Sequence, residues 1–149
     1  MAANSIREGF HTVTPYIIVD GAEKLIKFLT NAFGAKELFR IPGKKSSVSH
    51  AEIEIGSSRI MLGDSGLHIA ATAGLYCIFT DDVDAVYKKA LAAGAVPVSE
   101  PKDEYYGDRT AAVEDFAGNQ WWLLTHIEDV TPDEMKRRKE EWKKTKGSE

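Results

Sequence analysis

Two histidines and one glutamate are the side chains best placed to do chemistry near neutral pH. His50 and Glu52 stand two apart in the run SVSHAEIEI (47–55), so a strand puts them on one face. His126 closes a second such run, QWWLLTH (120–126). Imidazole titrates near neutrality, which makes His50 and His126 the acid–base candidates. The simpler reading, and the favoured one, is that both are hydrogen-bonded, partly exposed histidines at strand ends. His50, Glu52 and His126 together also form a chemically reasonable ligand set for a divalent cation, provided the fold gathers them. The segment YYGDR (105–109) adds Arg109, whose planar fork suits a carboxylate or phosphate, and Tyr106, whose ring is a stacking surface. An Asp108–Arg109 pair that only fixes the loop is the competing reading. His11 and His68 fall in loop or strand-end positions and carry less weight.

Two local motifs are decoys. Gly63-Asp64-Ser65-Gly66 spells the nucleophile motif of trypsin-like proteases, but at the end of a short strand in a chain too short for two barrels. Pro42-Gly43-Lys44-Lys45-Ser46 lacks the first glycine of a phosphate loop, because Leu38 stands five residues before Gly43.

The elements that must position these residues come in a repeat. Val13–Asp20 reads as a strand, and Ala22, Leu25, Ile26, Leu29 and Phe33 then fall at helical spacing. Asp20 is placed to cap that helix and Gly34 to close it. Lys36–Ile41, Ser47–Ile55 and Arg59–Gly63 follow as strands, with turns at Pro42-Gly43 and Gly56-Ser57. The order then recurs: strand Leu75–Thr80, a cap at Asp81 or Asp82, and a helix with the stripe Val83, Val86, Tyr87, Ala90 and Leu91. A hairpin follows, with arms Thr110–Glu114 and Gln120–His126 about a turn carrying Asp115, Gly118 and Asn119. Gly34 and Gly94 are offset by 60 residues, and the hairpin glycines Gly56 and Gly118 by 62. Two βαβββ units in tandem account for this spacing. The expected fold class is α+β, with module one at about 11–66, module two at about 69–130 and a charged helix at about 132–146. Thr131 and Glu134 match a capping box for that helix, and Pro132 suits its first turn.

Composition narrows the function. The chain has 149 residues, 43% of them apolar and 28% charged, which is ordinary for one globular domain. A net charge of −4 argues against a dedicated nucleic-acid binder. The charge is uneven: +2 from Thr131 onward and −6 before it. One cysteine, Cys77, excludes an internal disulfide framework and a cysteine-rich zinc site. MAANSIREGF lacks the pattern of a signal peptide, and Gly66–Phe79 is too short and interrupted to cross a bilayer. A cytoplasmic location without membrane attachment is the expectation.

Tandem βαβββ units of this length resemble the vicinal oxygen chelate superfamily, which includes glyoxalase I, extradiol dioxygenases, fosfomycin-resistance enzymes and bleomycin-resistance proteins. The segments TPYIIVDGAEKLIKFLTNAFGA (14–35), HAEIEIGSSRIMLGDS (50–65), DDVDAVYKKALAAGA (81–95) and YYGDRTAAVEDFAGNQW (105–121) look most like its PhnB-like branch. The resemblance implies sheets curled into cups around a small-molecule cavity, often with dimerisation. It also implies metal ligands on the first and fourth strands of each module. In this chain those positions fall at Thr14, Ile60 or Met61, Leu75 and Trp122, none of which suits a divalent cation. No cofactor is therefore expected, and a metal held by relocated ligands is the less favoured alternative.

Within the implied cup, period-two counting turns Thr14, Tyr16 and Ile18 inward, with Val13, Ile17 and Val19 under the helix. Ala51, Ile53 and Ile55 belong with the core and leave His50, Glu52 and Glu54 opposite. Trp122, Leu124 and His126 share one face of the last strand. The expected ligand-binding set is Thr14, Tyr16, His50, Glu52, Tyr106, Arg109, Trp122 and His126. The functional expectation is a homodimer that binds a small organic molecule in a cavity between modules. A metal-dependent lyase or isomerase of glyoxalase type and a non-catalytic interaction module are the alternatives.

Overall fold

The computed structural model describes residues 2–147. Module one runs β1 (Tyr16–Val19), α1 (Ala22–Phe33), β2 (Lys36–Pro42), β3 (Val48–Ile55) and β4 (Ser58–Asp64). Module two runs β5 (Leu75–Phe79), α2 (Val83–Ala92), β6 (Val96–Asp103), β7 (Asp108–Glu114) and β8 (Gln120–His126), and α3 (Pro132–Lys146) follows. The sheet orders β1-β4-β3-β2 and β5-β8-β7-β6 are the same topology used twice. β1 with β4 and β5 with β8 are parallel and the other pairs antiparallel, so each sheet is mixed. The α+β fold expected from the repeat is the one observed.

Each helix covers one face of its own sheet, and the two helices also pack on one another. α1 buries Leu25, Ile26, Phe28 and Leu29, and the sheet beneath contributes Ile17, Val19, Ala51, Ile53 and Leu62. α2 buries Val83, Tyr87 and Ala90 alongside Ala111, Val113, Trp121 and Leu123. These residues form one continuous apolar cluster across both modules. Trp121 joins them: its ring centroid lies 5.4 Å from that of Phe33 in α1 and 4.8 Å from that of Tyr76 in β5.

Expectations for the first strand and the first helix cap are corrected. β1 begins at Tyr16, so Val13 is 84% exposed and Thr14 lies outside the strand, its hydroxyl donating to the His11 carbonyl at 3.2 Å. Pro15 has no N–H for the ladder, and only its carbonyl joins it, accepting from Met61 N. Asp20 does not cap α1. Asp64 does, from the end of β4, accepting from Gly21 N at 2.8 Å and Ala22 N at 2.9 Å while its other oxygen accepts from Val48 N at 2.7 Å. Burial alone would push the Asp64 carboxyl up, but these backbone bonds hold it below the usual carboxylate range. The aspartate of the protease-like motif is thus a structural pin. The repeat also required a strand where β6 lies, but its bounds were not legible, because Pro97 and Pro101 interrupt its run. It is an edge strand with register shifts at Pro97/Ser99 and Ser99/Lys102, the setting in which proline is tolerated.

Asp82 caps α2 by accepting from Ala85 N at 3.1 Å, and Gly34 closes α1 with φ 68°. Thr131 caps α3, accepting from Glu134 N at 3.3 Å, but Glu134 turns to Arg137 and Arg138 instead of completing a capping box. Trp142 reaches Tyr105, 5.8 Å between ring centroids, and Arg138 holds Glu128 with paired bonds of 2.7 and 2.8 Å. The charged helix is fastened to module two by these contacts. No helix among the described residues is long and apolar enough to cross a membrane.

Candidate functional site

Alternation along the strands gives each sheet a helix-covered face and an outer face. In module one, cross-strand register places Tyr16, Met61, Glu52 and Phe39 in one row of the outer face, with His50 opposite Ile41 in the next. The polar groups there are linked. The Tyr16 hydroxyl lies 2.8 Å from His50 Nδ1, and His50 Nε2 lies 3.2 Å from Glu52 Oε1. Arg7 completes the line, donating to Glu52 Oε1 at 2.7 Å. A carboxylate only accepts, so in the neutral ring Nε2 carries the proton and Nδ1 accepts from Tyr16. Such a line can pass a proton between phenol and imidazole and can hold a ligand's polar group at its open end.

Glu52 is the least exposed member, at 5%. Burial pushes its carboxyl up, but hydrogen bonds from Arg7 and His50, with their charges, hold it below the usual carboxylate range. Around it the face is apolar and open: Tyr16, Phe39 and Ile41 are each 46–49% exposed.

Module two presents a second outer face, with Leu75, Cys77 and Phe79 in line with Gln120, Trp122 and Leu124. Trp122 is half-buried and donates to Gln120 Oε1 at 3.2 Å. His126 lies at the end of this face, apart from His50, with Nδ1 2.7 Å from Asp108 and Nε2 2.7 Å from Asp129. Both nitrogens must carry protons to satisfy two carboxylates, so this geometry belongs to the imidazolium. Hydrogen bonds first to Asp129 and then to Asp108 raise its pKa above the ordinary histidine value. The stabilisation is therefore present below about pH 6.5 and disappears as pH rises through the raised value. An NMR titration should find His126 protonating above the ordinary value, and Asp129→Asn should bring it down. Titration at or below the ordinary value in the unmodified chain would contradict the double contact.

The remaining predicted residues scatter. Arg109 lies on the helix-covered side, committed to Asp84 by bonds of 2.7 and 2.9 Å and to Asp103 at 2.9 Å. Tyr106 stacks edge-on against Tyr105, centroids 5.3 Å apart, and is half-buried. Thr14 precedes the strand, and Ile60 is buried in the core at 6% exposure while Met61 takes the outward position. A cleft of about 850 Å³ does lie between the modules, but Phe33, Tyr76 and Trp121 line it rather than Trp122, and Arg59 and Lys89 stand among its lining. Sequence reasoning expected a cavity between the modules but assigned Phe33 to the core stripe and did not name Tyr76 or Trp121 among its lining. Arg7 and Phe10 were also missed. They lie in an N-terminal segment without periodicity, and only the fold brings Arg7 to Glu52, with the Phe10 ring against its guanidinium.

The chain matches the family described as the glyoxalase/bleomycin resistance protein/dioxygenase superfamily over residues 9–123. It belongs to that superfamily. An uncharacterised protein of Mycobacterium bovis is 32% identical over 134 residues, covering 83% of this chain and 88% of that protein. Among solved structures, TioX from Micromonospora superposes with a TM-score of 0.63 at 22% identity, covering 77% of this chain and 99% of that one. The PhnB protein of Bacillus cereus gives 0.58 at 17% identity, covering 77% and 99%. Likeness at these identities speaks for the fold.

The resemblance implies metal-ligand positions at Thr14, Ile60 or Met61, Leu75 and Trp122; the strand register offers a neighbouring set. On the outer faces, the register pairs Tyr16 with Met61 and Cys77 with Trp122, an offset of 61 residues in both strands. A phenol, a thioether, a thiol and an indole do not fit a hard divalent cation. The relocated set does not assemble within the chain either: His50 and Glu52 are neighbours, but His126 sits in the other module. Among the described residues no three His, Cys, Asp or Glu side chains gather closely enough to hold a metal ion.

Proposed function

We propose that this chain binds a small organic molecule against the outer face of module one, without a tightly held metal, in the manner of a PhnB-like member of the superfamily. The observation that carries this reading is the hydrogen-bonded line Tyr16–His50–Glu52 set in an open apolar surface. A few fixed polar groups in an apolar surround are what orients a small ligand. The second copy of the chain is the natural cover. On the outer face of module two, Leu75 and Phe79 are 59% and 71% exposed, and two such apolar faces gain by closing on each other. Tyr16 would hold the ligand's polar group, His50 would orient Tyr16, and Phe39 and Met61 would pack the ligand body. Whether a reaction follows depends on the ligand. The line can move one proton, so isomerisation or addition–elimination is the class of chemistry it suits.

A small-molecule screen by thermal shift tests this reading. A true ligand at about a hundredfold excess over its Kd should raise Tm by roughly 5 °C or more, with and without chelator. Tyr16→Phe and His50→Gln should weaken that ligand by about tenfold. Binding unchanged in both variants would move the seat elsewhere, the inter-module cleft first. About one equivalent of metal by mass spectrometry, lost in His50→Gln, would sink the metal-free reading.

A further inference from the structure

Glu52 is a buried carboxylate whose arginine partner comes from outside the repeat. Its side chain is 7% exposed, while that of Arg7, which holds it, is 60% exposed. Arg7 precedes both the family match, which starts at residue 9, and β1. Within the module, Arg59 is committed to Glu54 at 3.1 Å and Arg40 to Glu37 and Glu23. Without Arg7, the module offers Glu52 one N–H from His50 and no permanent positive charge. The outer face therefore pairs its carboxylate with a cation that the βαβββ unit does not itself supply.

The seat is also lined for one. The Arg7 guanidinium lies 4.5 Å from the centroid of Phe10, and the His50 ring lies 5.5 Å from Tyr16 and 6.4 Å from Phe39. Aromatic faces beside a carboxylate favour a delocalised, weakly hydrated cation. What the structure shows there is a guanidinium that belongs to the chain itself.

We propose that Glu52 is the cation subsite of the outer-face ligand site, that the ligand class is a small aromatic amidinium, guanidinium or ammonium compound, and that Arg7 occupies the subsite until such a ligand displaces it. This rests on reading the outer face of module one as the ligand site, and it adds the charge of the ligand. The side chain of Arg7 is thus a tethered competitor, and removing it exposes an ionised carboxylate to the incoming cation. Burial raises the Glu52 carboxyl, but the bond from His50 survives the exchange and the ligand restores the one from Arg7.

The test uses the full chain and two isosteric probes, benzamidine as the cation and benzamide as its neutral counterpart, by calorimetric or NMR titration. Arg7→Ala should bind benzamidine roughly tenfold more tightly than the unmodified chain. Its affinity for benzamide should not change. Glu52→Gln should lose benzamidine by a similar factor or more. Equal or weaker benzamidine binding by Arg7→Ala overturns the proposal, and so does Glu52→Gln binding as the unmodified chain does. Should Glu52→Gln fail to fold, the comparison of Arg7→Ala with the unmodified chain decides alone. If benzamide and benzamidine bind equally and both weaken with Tyr16→Phe, the ligand seat stands and the cation subsite falls. If benzamidine binds no variant at millimolar concentration, the cation subsite falls too, and the neutral-compound screen judges the seat independently.

Discussion

Trp121→Ala should cost about 3–5 kcal/mol of stability, the range for truncating a large buried aromatic side chain. Trp121 is 0% exposed, and its ring contacts Phe33 of module one and Tyr76 of its own. Losing the indole therefore removes dispersion contacts within module two and opens a void at the seam between modules, where neither half can collapse to fill it. Its sequence neighbour is the internal control. Trp122 is half-buried on the outer face, so Trp122→Ala should cost well under half as much. Urea denaturation of both variants measures the difference. Equal losses, or a loss below about 1 kcal/mol for Trp121→Ala, would mean that the seam is not where the modules are joined.

A second large loss is expected at the turn before that tryptophan. Asp115, 5% exposed, accepts from Ala117 N at 2.9 Å, Asn119 N and Nδ2 at 3.1 Å, and Trp121 Nε1 at 2.8 Å. Asn119 in turn accepts from Gly74 N at 2.9 Å, which ties the hairpin turn to the start of β5. Asp115→Ala leaves several of these buried donors unpaired at once, so a loss of about 3 kcal/mol or more is expected. Asp115→Asn should recover only part, because its amide group opposes donors it should accept from. The effect should also be non-additive with Trp121→Phe, which removes the indole N–H but keeps most of the ring. Additive losses in that double-mutant cycle would show that the Asp115–Trp121 bond contributes little.

Some of the site was legible because it follows from periodicity alone. His50 and Glu52 share a face once their segment is a strand, since a strand alternates its side chains whatever packs on it. Arg109 shows the limit of that reasoning. Its fork is suited to an anionic ligand, but the anions it holds are Asp84 of α2 and Asp103 of β6, which only folding brings within reach. Asp20 and Asp64 show the same limit for capping. Both carboxylates lie near the start of α1 in space, but sequence distance hides the second, and the parallel pairing of β1 with β4 gives it the role.

The sequence by itself determined the repeat: the helical stripes, the alternating strands, the turn residues between them and the superfamily to which their order belongs. These are local signals, each decided by residues within a turn or a strand of one another. The tertiary structure alone decided which of two adjacent tryptophans is the seam and which lies outside, that edge strand β6 forms despite two prolines, and that Arg7 comes to rest on Glu52. Each of those outcomes depends on a partner far away in the chain, and only the packed fold selects it.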